Sequence, residues 1–271
     1  MRLSVSHTTH YHYASPQKRI AQSFRLLPTL CDNQRVLDWA ISVEGATITE
    51  PFTDGAGDRV CTMTIAGPVT ELAVNVVGTV ETTDKTGVLV GANEMIVPMS
   101  YLRDTPLTMP DEALRKAAQD VATAHQAAGQ LALAHALSEA CAEHIDYQPG
   151  TSMSGDSAAT VWAAGKGVCQ DQAQALIAMA RSVGIPARYV IGYLFATADD
   201  LTDEASHAWA ELHIDGLGWV GFDVANRCCP DDRYIRLGSG LDAADGAPIR
   251  GVAFGSGAER MDINVSVMAE Q

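Results

Sequence analysis

The chain has 271 residues, 47% of them hydrophobic, and a formal net charge of −15 from 18 basic and 33 acidic side chains. That length and apolar content supply a real core, so disorder is not expected, and the acidity disfavours nonspecific attraction to nucleic acid or an anionic membrane surface. No run approaches the roughly 20 apolar residues that span a bilayer, the start MRLSVSHTTHYHY lacks a signal-peptide apolar segment, and the six cysteines show no CxxC pairing, which predicts a cytoplasmic protein with reduced thiols.

The first 90 residues read as a small antiparallel β region. Leu3–Tyr13, Val36–Val43, Val60–Ile65 and Leu72–Val80 have strand composition, and turn chemistry separates them at Thr53-Asp54-Gly55-Ala56-Gly57-Asp58 and at Ala66-Gly67-Pro68. Residues 91–110 carry Gly, Asn and Pro without clear periodicity and form a connection. Residues 111–271 make the second unit. It opens on an alanine-rich helix, DEALRKAAQDVATAHQAA, with Asp111 and Glu112 suiting the start after Pro110. A break at Gly129 leads to a second helix, QLALAHALSEACAEHI. The stretch DYQPGTSMSGDSAATVWAAGKG has loop composition with room for one short helix.

The most informative segment is GVCQDQAQALIAMARSVGIPARYVIGYL. Ala173, Leu176, Ile177 and Ala180 share one helical face, and Gly184 with Pro186 ends the helix. The first turn falls at Gln170 and Asp171, which puts Cys169 at the N-terminal end, where free backbone N–H groups and the macrodipole favour an anion. A thiol there is a prepared nucleophile if it has partners.

Candidate partners lie in SHAWAELHIDGLGWVGFDVAN. Alternation puts His207, Trp209, Glu211 and His213 on one face and Ala208, Ala210, Leu212 and Ile214 on the other, the pattern of a half-buried strand. Asp215-Gly216-Leu217-Gly218 is turn chemistry, and the next strand carries Trp219, Gly221 and Asp223 on one face. Bringing Asp223 beside His207 in this hairpin requires an odd loop length or a bulge. A carboxylate on one imidazole nitrogen then leaves the other to exchange a proton with the thiol. The Cys169 backbone N–H is the expected first oxyanion donor, with Gln148 and Trp162 as candidates for the second, and Trp162, Trp209 and Trp219 are candidates to border the substrate cleft.

These residues resemble the bacterial transglutaminase-like cysteine peptidase family. The shared elements are Gly167-Val168-Cys169-Gln170-Asp171, Ser206-His207-Ala208-Trp209 and Gly218-Trp219-Val220-Gly221-Phe222-Asp223. Gly184-Ile185-Pro186-Ala187-Arg188-Tyr189-Val190, the upstream HYHYASPQKRIAQSFRLLPT and the tail from Gly240 to Gly251 are also similar. The resemblance implies a papain-like α+β fold, with an antiparallel sheet and a nucleophile helix behind an N-terminal antiparallel β domain. It also implies a Cys169, His207 and Asp223 triad acting on a peptide or protein substrate as a thiol-dependent amide hydrolase. Glutamine deamidation, amine transfer and a non-catalytic peptide-binding module are the alternatives. Gln172, Gln174 and Val224 depart from the family pattern without removing a triad member. No cofactor and no metal is expected: His10 and His12 share a face of the first strand but His7 does not, and the vicinal Cys228-Cys229 rarely bridge.

Overall fold

The structure, a computed structural model, describes residues 1–153, 155–197 and 205–270. Alternation in the first segment turns Leu3, Val5, His7, Thr9, Tyr11 and Tyr13 inward and leaves His10 and His12 outside, as the two-residue period requires. That strand, β1, extends over Arg2–Phe24. It is followed by β2 (Gln34–Val43), the short β3 (Thr47–Ile48) and β4 (Phe52–Thr53), and β5 (Arg59–Thr82).

The expected Val36–Val43 strand is present within β2, whereas β1 runs on past Tyr13 to Phe24 and β5 joins the expected Val60–Ile65 and Leu72–Val80 strands into one. Ala66-Gly67-Pro68 is no turn; the chain passes through it inside β5, where the register against β1 shifts around Gln17. Such an irregularity tolerates the missing proline N–H. Gly67 approaches β1 so closely that a Cβ would sit 1.9 Å from the Gln17 carbonyl oxygen, which only glycine avoids.

Past a 3-10 turn at Pro98–Leu102, the helices begin with α1 (Glu112–Ala124), whose Asp111 cap accepts from the Leu114 N–H at 2.8 Å. Then come α2 (Gln130–His144), β6 (Asp146–Tyr147), α3 (Ala158–Ala164), β7 (Lys166–Gly167) and α4 (Cys169–Ser182). Helix α4 packs against α1, α2, α3 and a sheet, so its side chains are buried nearly all round and not only on the Ala173 face. That sheet is antiparallel, in the order β10 (Gly218–Phe222), β9 (Ser206–Ile214), β8 (Ala187–Leu194), β11 (Tyr234–Gly240).

Strand β9 was expected to be half-buried and is buried on both faces. Ala208 and Ala210 join the core that contains α4, while Trp209 packs with Val190, Leu194 and Tyr234. A second departure lies at the C-terminal side. The last two strands, β12 (Ile249–Phe254) and β13 (Glu259–Ala269), leave the second unit and pair with β1, completing the N-terminal sheet. Among the described residues no helix is long and apolar enough to cross a membrane.

A buried polar network joins the two sheets. Asp58, from the glycine-rich turn before β5, accepts from Arg236 Nη1 at 2.9 Å and from the Ser239 backbone N–H at 2.6 Å. Arg236 also donates to Glu211 Oε1 at 2.9 Å, and Arg188 Nε donates to Glu211 Oε2 at 2.7 Å. Arg188 in turn forms an ion pair with Glu94 of the connecting segment at 2.9 Å.

Candidate active site

The site begins with the turn that starts α4. The carboxylate of Asp171 accepts from the Val168 backbone N–H at 2.9 Å and from the Ser152 hydroxyl, which ties the helix start to the loop before α3. Gly167 is required beside it, because a Cβ there would lie 2.8 Å from the Asp171 side chain. The Val168 carbonyl accepts from the Asp171 and Gln172 N–H groups at 3.0 Å each. Cys169 thereby becomes the first helical residue, and among the described residues no acceptor engages its backbone N–H. Replacing Asp171 with alanine removes this cap. The expected result is a loss of ~0.5–2 kcal/mol of stability with slower alkylation of Cys169, read by thermal melting and by the rate of iodoacetamide labelling.

The hairpin meets the parity requirement by an odd loop. Ile214 pairs with Gly218 across Asp215, Gly216 and Leu217, and Phe222 pairs with Ala210. Continuing that register puts Asp223 on the face that carries His207 and Trp209. The Asp223 backbone is fixed by a bridge to Cys228, its N–H donating to the Cys228 carbonyl at 2.8 Å and its carbonyl accepting back at 3.1 Å. His207 Nε2–H then donates to Asp223 Oδ2 at 2.7 Å.

Both partners are buried, His207 at 3% and Asp223 at 0% exposure. Burial by itself would lower the basicity of His207. The charge and hydrogen bond of Asp223, aided by the neighbouring Cys169 sulfur, outweigh it and raise the imidazole from 6.5 to about 10. Burial likewise pushes the Asp223 carboxyl up. The opposite charge of His207 and hydrogen bonds from His207, Tyr234 and Asn226 reverse this and hold it below its ordinary value. The ring's other nitrogen, Nδ1, is buried and has no hydrogen-bond partner among the described residues. Cys169, itself only 6% exposed, is close enough to bias the ring without a formed hydrogen bond to it.

The other residues singled out in the sequence separate in space. Trp209 stacks near His207, ring centroids 6.5 Å apart, and meets Tyr234 edge-on at 5.6 Å, so it shields the pair from water. Trp219 faces the connecting segment instead: its indole N–H donates to Glu94 at 2.7 Å and its ring lies under Arg188 at 4.0 Å. Trp162 is nearly buried, stacked on His144 at 3.8 Å. Gln148 is exposed, and its backbone N–H donates to the Gly167 carbonyl at 2.8 Å, which sets it beside the strand leading into Cys169. Tyr234, which no sequence signal singled out, donates its hydroxyl to Asp223 Oδ2 at 2.7 Å. Asn226 was not singled out either, and its side-chain amide donates to the same oxygen at 2.8 Å.

Comparison with known proteins accords with this arrangement. An uncharacterised Mycobacterium leprae protein, ML0607, is 29% identical over 98% of this chain and 98% of its own length. An uncharacterised Mycobacterium tuberculosis protein, Rv2569c, is 36% identical over 45% of this chain and 41% of its own. A crystal structure of a candidate cysteine protease from Cytophaga hutchinsonii superposes with a TM-score of 0.75, at 21% identity, over 100% of this chain and 92% of that one, and shares the papain-like α+β fold expected from the sequence. Residues 115–224 match the Transglutaminase-like superfamily and residues 3–81 the Bacterial transglutaminase-like N-terminal region, so the chain belongs to the transglutaminase-like superfamily.

Proposed function

We propose that the protein is a thiol-dependent amide and peptide hydrolase, a cysteine peptidase that works through a thioester on Cys169. The carrying observation is the His207 ring itself: one nitrogen is bonded to a buried carboxylate, and the other, with the Cys169 sulfur nearby, has no hydrogen-bond partner among the described residues. In this reading the Cys169 sulfur attacks the carbonyl carbon, and the oxyanion is held by the Cys169 backbone N–H. Gln148 is our choice for the second donor, supported by its backbone bond to Gly167. His207, protonated at neutral pH, gives its proton to the departing amine as the thioester forms. The neutral imidazole then takes a proton from water, which attacks the thioester, releases the acid and restores the thiolate and imidazolium. Asp223 keeps the ring oriented through both steps.

Peptide hydrolysis, glutamine deamidation and amine transfer share this first half. Water resolves a thioester given access alone, whereas transfer needs a second site that excludes water. Incubation with a glutamine-containing peptide and a labelled primary amine is therefore expected to give the hydrolysed or deamidated product, with no amine incorporated, by mass spectrometry. Stoichiometric amine incorporation would reassign the protein as an acyltransferase. A cytoplasmic location belongs to the same reading and is supported by six unpaired cysteines.

A further inference from the structure

The Asp223 carboxylate is more heavily bonded than orienting one imidazole requires. Its Oδ2 accepts from His207 Nε2, from Tyr234 Oη at 2.7 Å and from Asn226 Nδ2 at 2.8 Å, while Oδ1 accepts from the Asn226 backbone N–H at 3.3 Å. Tyr234 comes from β11, at the opposite edge of the sheet from β10, and its side chain is buried against Trp209. Its hydroxyl oxygen also lies 3.4 Å from Cys228 Sγ, at the end of the loop that bridges back to Asp223. Asn226 reaches Asp223 from inside that loop.

We infer that Tyr234 and Asn226 are positioning residues for the triad, sharing the Asp223 charge so that His207 holds its proton less tightly than a bare carboxylate would make it. The inference rests on the proposed thiol mechanism and deepens it. An imidazolium locked to a strongly basic carboxylate is a poor acid for the leaving amine. Two neutral donors on the same oxygen spread its charge and fix its rotation. Among the described residues, the titratable and charged groups around the pair are Cys169 from α4, Tyr234 from β11, and Cys228 from the loop that also carries Asn226, with the Arg233 guanidinium 6.0 Å from the Tyr234 ring centre. Burial pushes the Cys228 thiol up to about 11, so it adds no anion to this surface at neutral pH. Tyr234 is likewise shifted above its ordinary value by burial and by Asp223, so it stays a neutral donor.

The test is Tyr234→Phe, which keeps the ring and deletes one donor, with Asn226→Ala as a second variant. Titration of the His207 imidazole by NMR should show it keeping its proton to higher pH in Tyr234→Phe than in the wild type, and Asn226→Ala should move it the same way. On a glutamine-containing peptide, kcat should fall about ten- to a hundredfold at unchanged KM, with the alkaline limb of the profile moved upward. A titration unmoved in both variants overturns the inference, as does a loss of kcat that accompanies only a lower melting temperature. The NMR arm does not depend on turnover. An active Cys169→Ala enzyme would therefore refute the proposed mechanism while leaving the Tyr234 result to be judged separately.

Discussion

Cys169→Ala is expected to leave a folded protein with no measurable turnover and no iodoacetamide labelling at residue 169. His207→Ala should lower kcat by roughly 10²- to 10⁴-fold, the usual contribution of a positioned general acid and base. The first removes the only proposed nucleophile, and the second removes both proton transfers. The wild-type pH profile carries its own signature. His207 is raised from 6.5 to about 10 in the fold, so the acid that protonates the leaving amine is present below that value, and activity should fall as pH rises through about 10. The same shift makes a stability term that is full below pH 6.5 and lost as pH climbs through about 10. Asp223 has the opposite sign: held below its ordinary 3.8, it contributes above that value and loses its contribution as the solution is acidified. Activity persisting in Cys169→Ala, or an alkaline limb near the unperturbed imidazole value, would contradict this account.

The second large effect concerns the joint between the sheets. Glu211 is 3% exposed and lies between Arg188 and Arg236, both of them buried. Burial pushes its carboxyl up, and the two guanidinium groups more than compensate, leaving it below its ordinary value. Glu211→Ala removes the carboxylate that two buried cations share, leaving Arg188 with Glu94 alone and Arg236 with Asp58 alone, and removing one partner of such a cluster costs ~3–5 kcal/mol. For a chain of this size that is a fall of roughly 10 °C in melting temperature, measurable by calorimetry. Because the folded carboxyl is held below 4.5, the contribution of the wild-type cluster is present above that pH and fades as the solution is acidified. A melting temperature unchanged in Glu211→Ala would show that the cluster adds specificity of docking and not stability.

The helical half of the molecule was legible because its signals are local. Asp111 caps α1, Gly129 separates α1 from α2, and the Gly184-Pro186 stop ends α4, each within a turn of the boundary it sets. The His207 and Asp223 pairing was legible too, since a hairpin obeys a parity rule that sequence spacing expresses directly. What escaped was set by distant chain. Gly67-Pro68 carries turn composition, yet β5 continues through it, with the register against the distant β1 shifting around Gln17. The polar face of β9 reads as solvent-facing, and Glu211 on it is covered by arginines whose partners include Asp58, 178 residues from Arg236. Tyr234 reaches Asp223 across the sheet, and nothing near either residue announces the contact.

The pairing of β13 with β1 has a consequence for biosynthesis. Leu3–Tyr13 already lies along β5, but its other edge is closed only by Glu259–Ala269, so most of the chain must emerge from the ribosome before the flanking strand exists. Until then the nascent protein presents a row of open backbone donors and acceptors about eleven residues long, the kind of edge that recruits strands from other molecules. Early folding in the cell should therefore depend on how quickly translation finishes, or on a chaperone that occupies this edge in the interval.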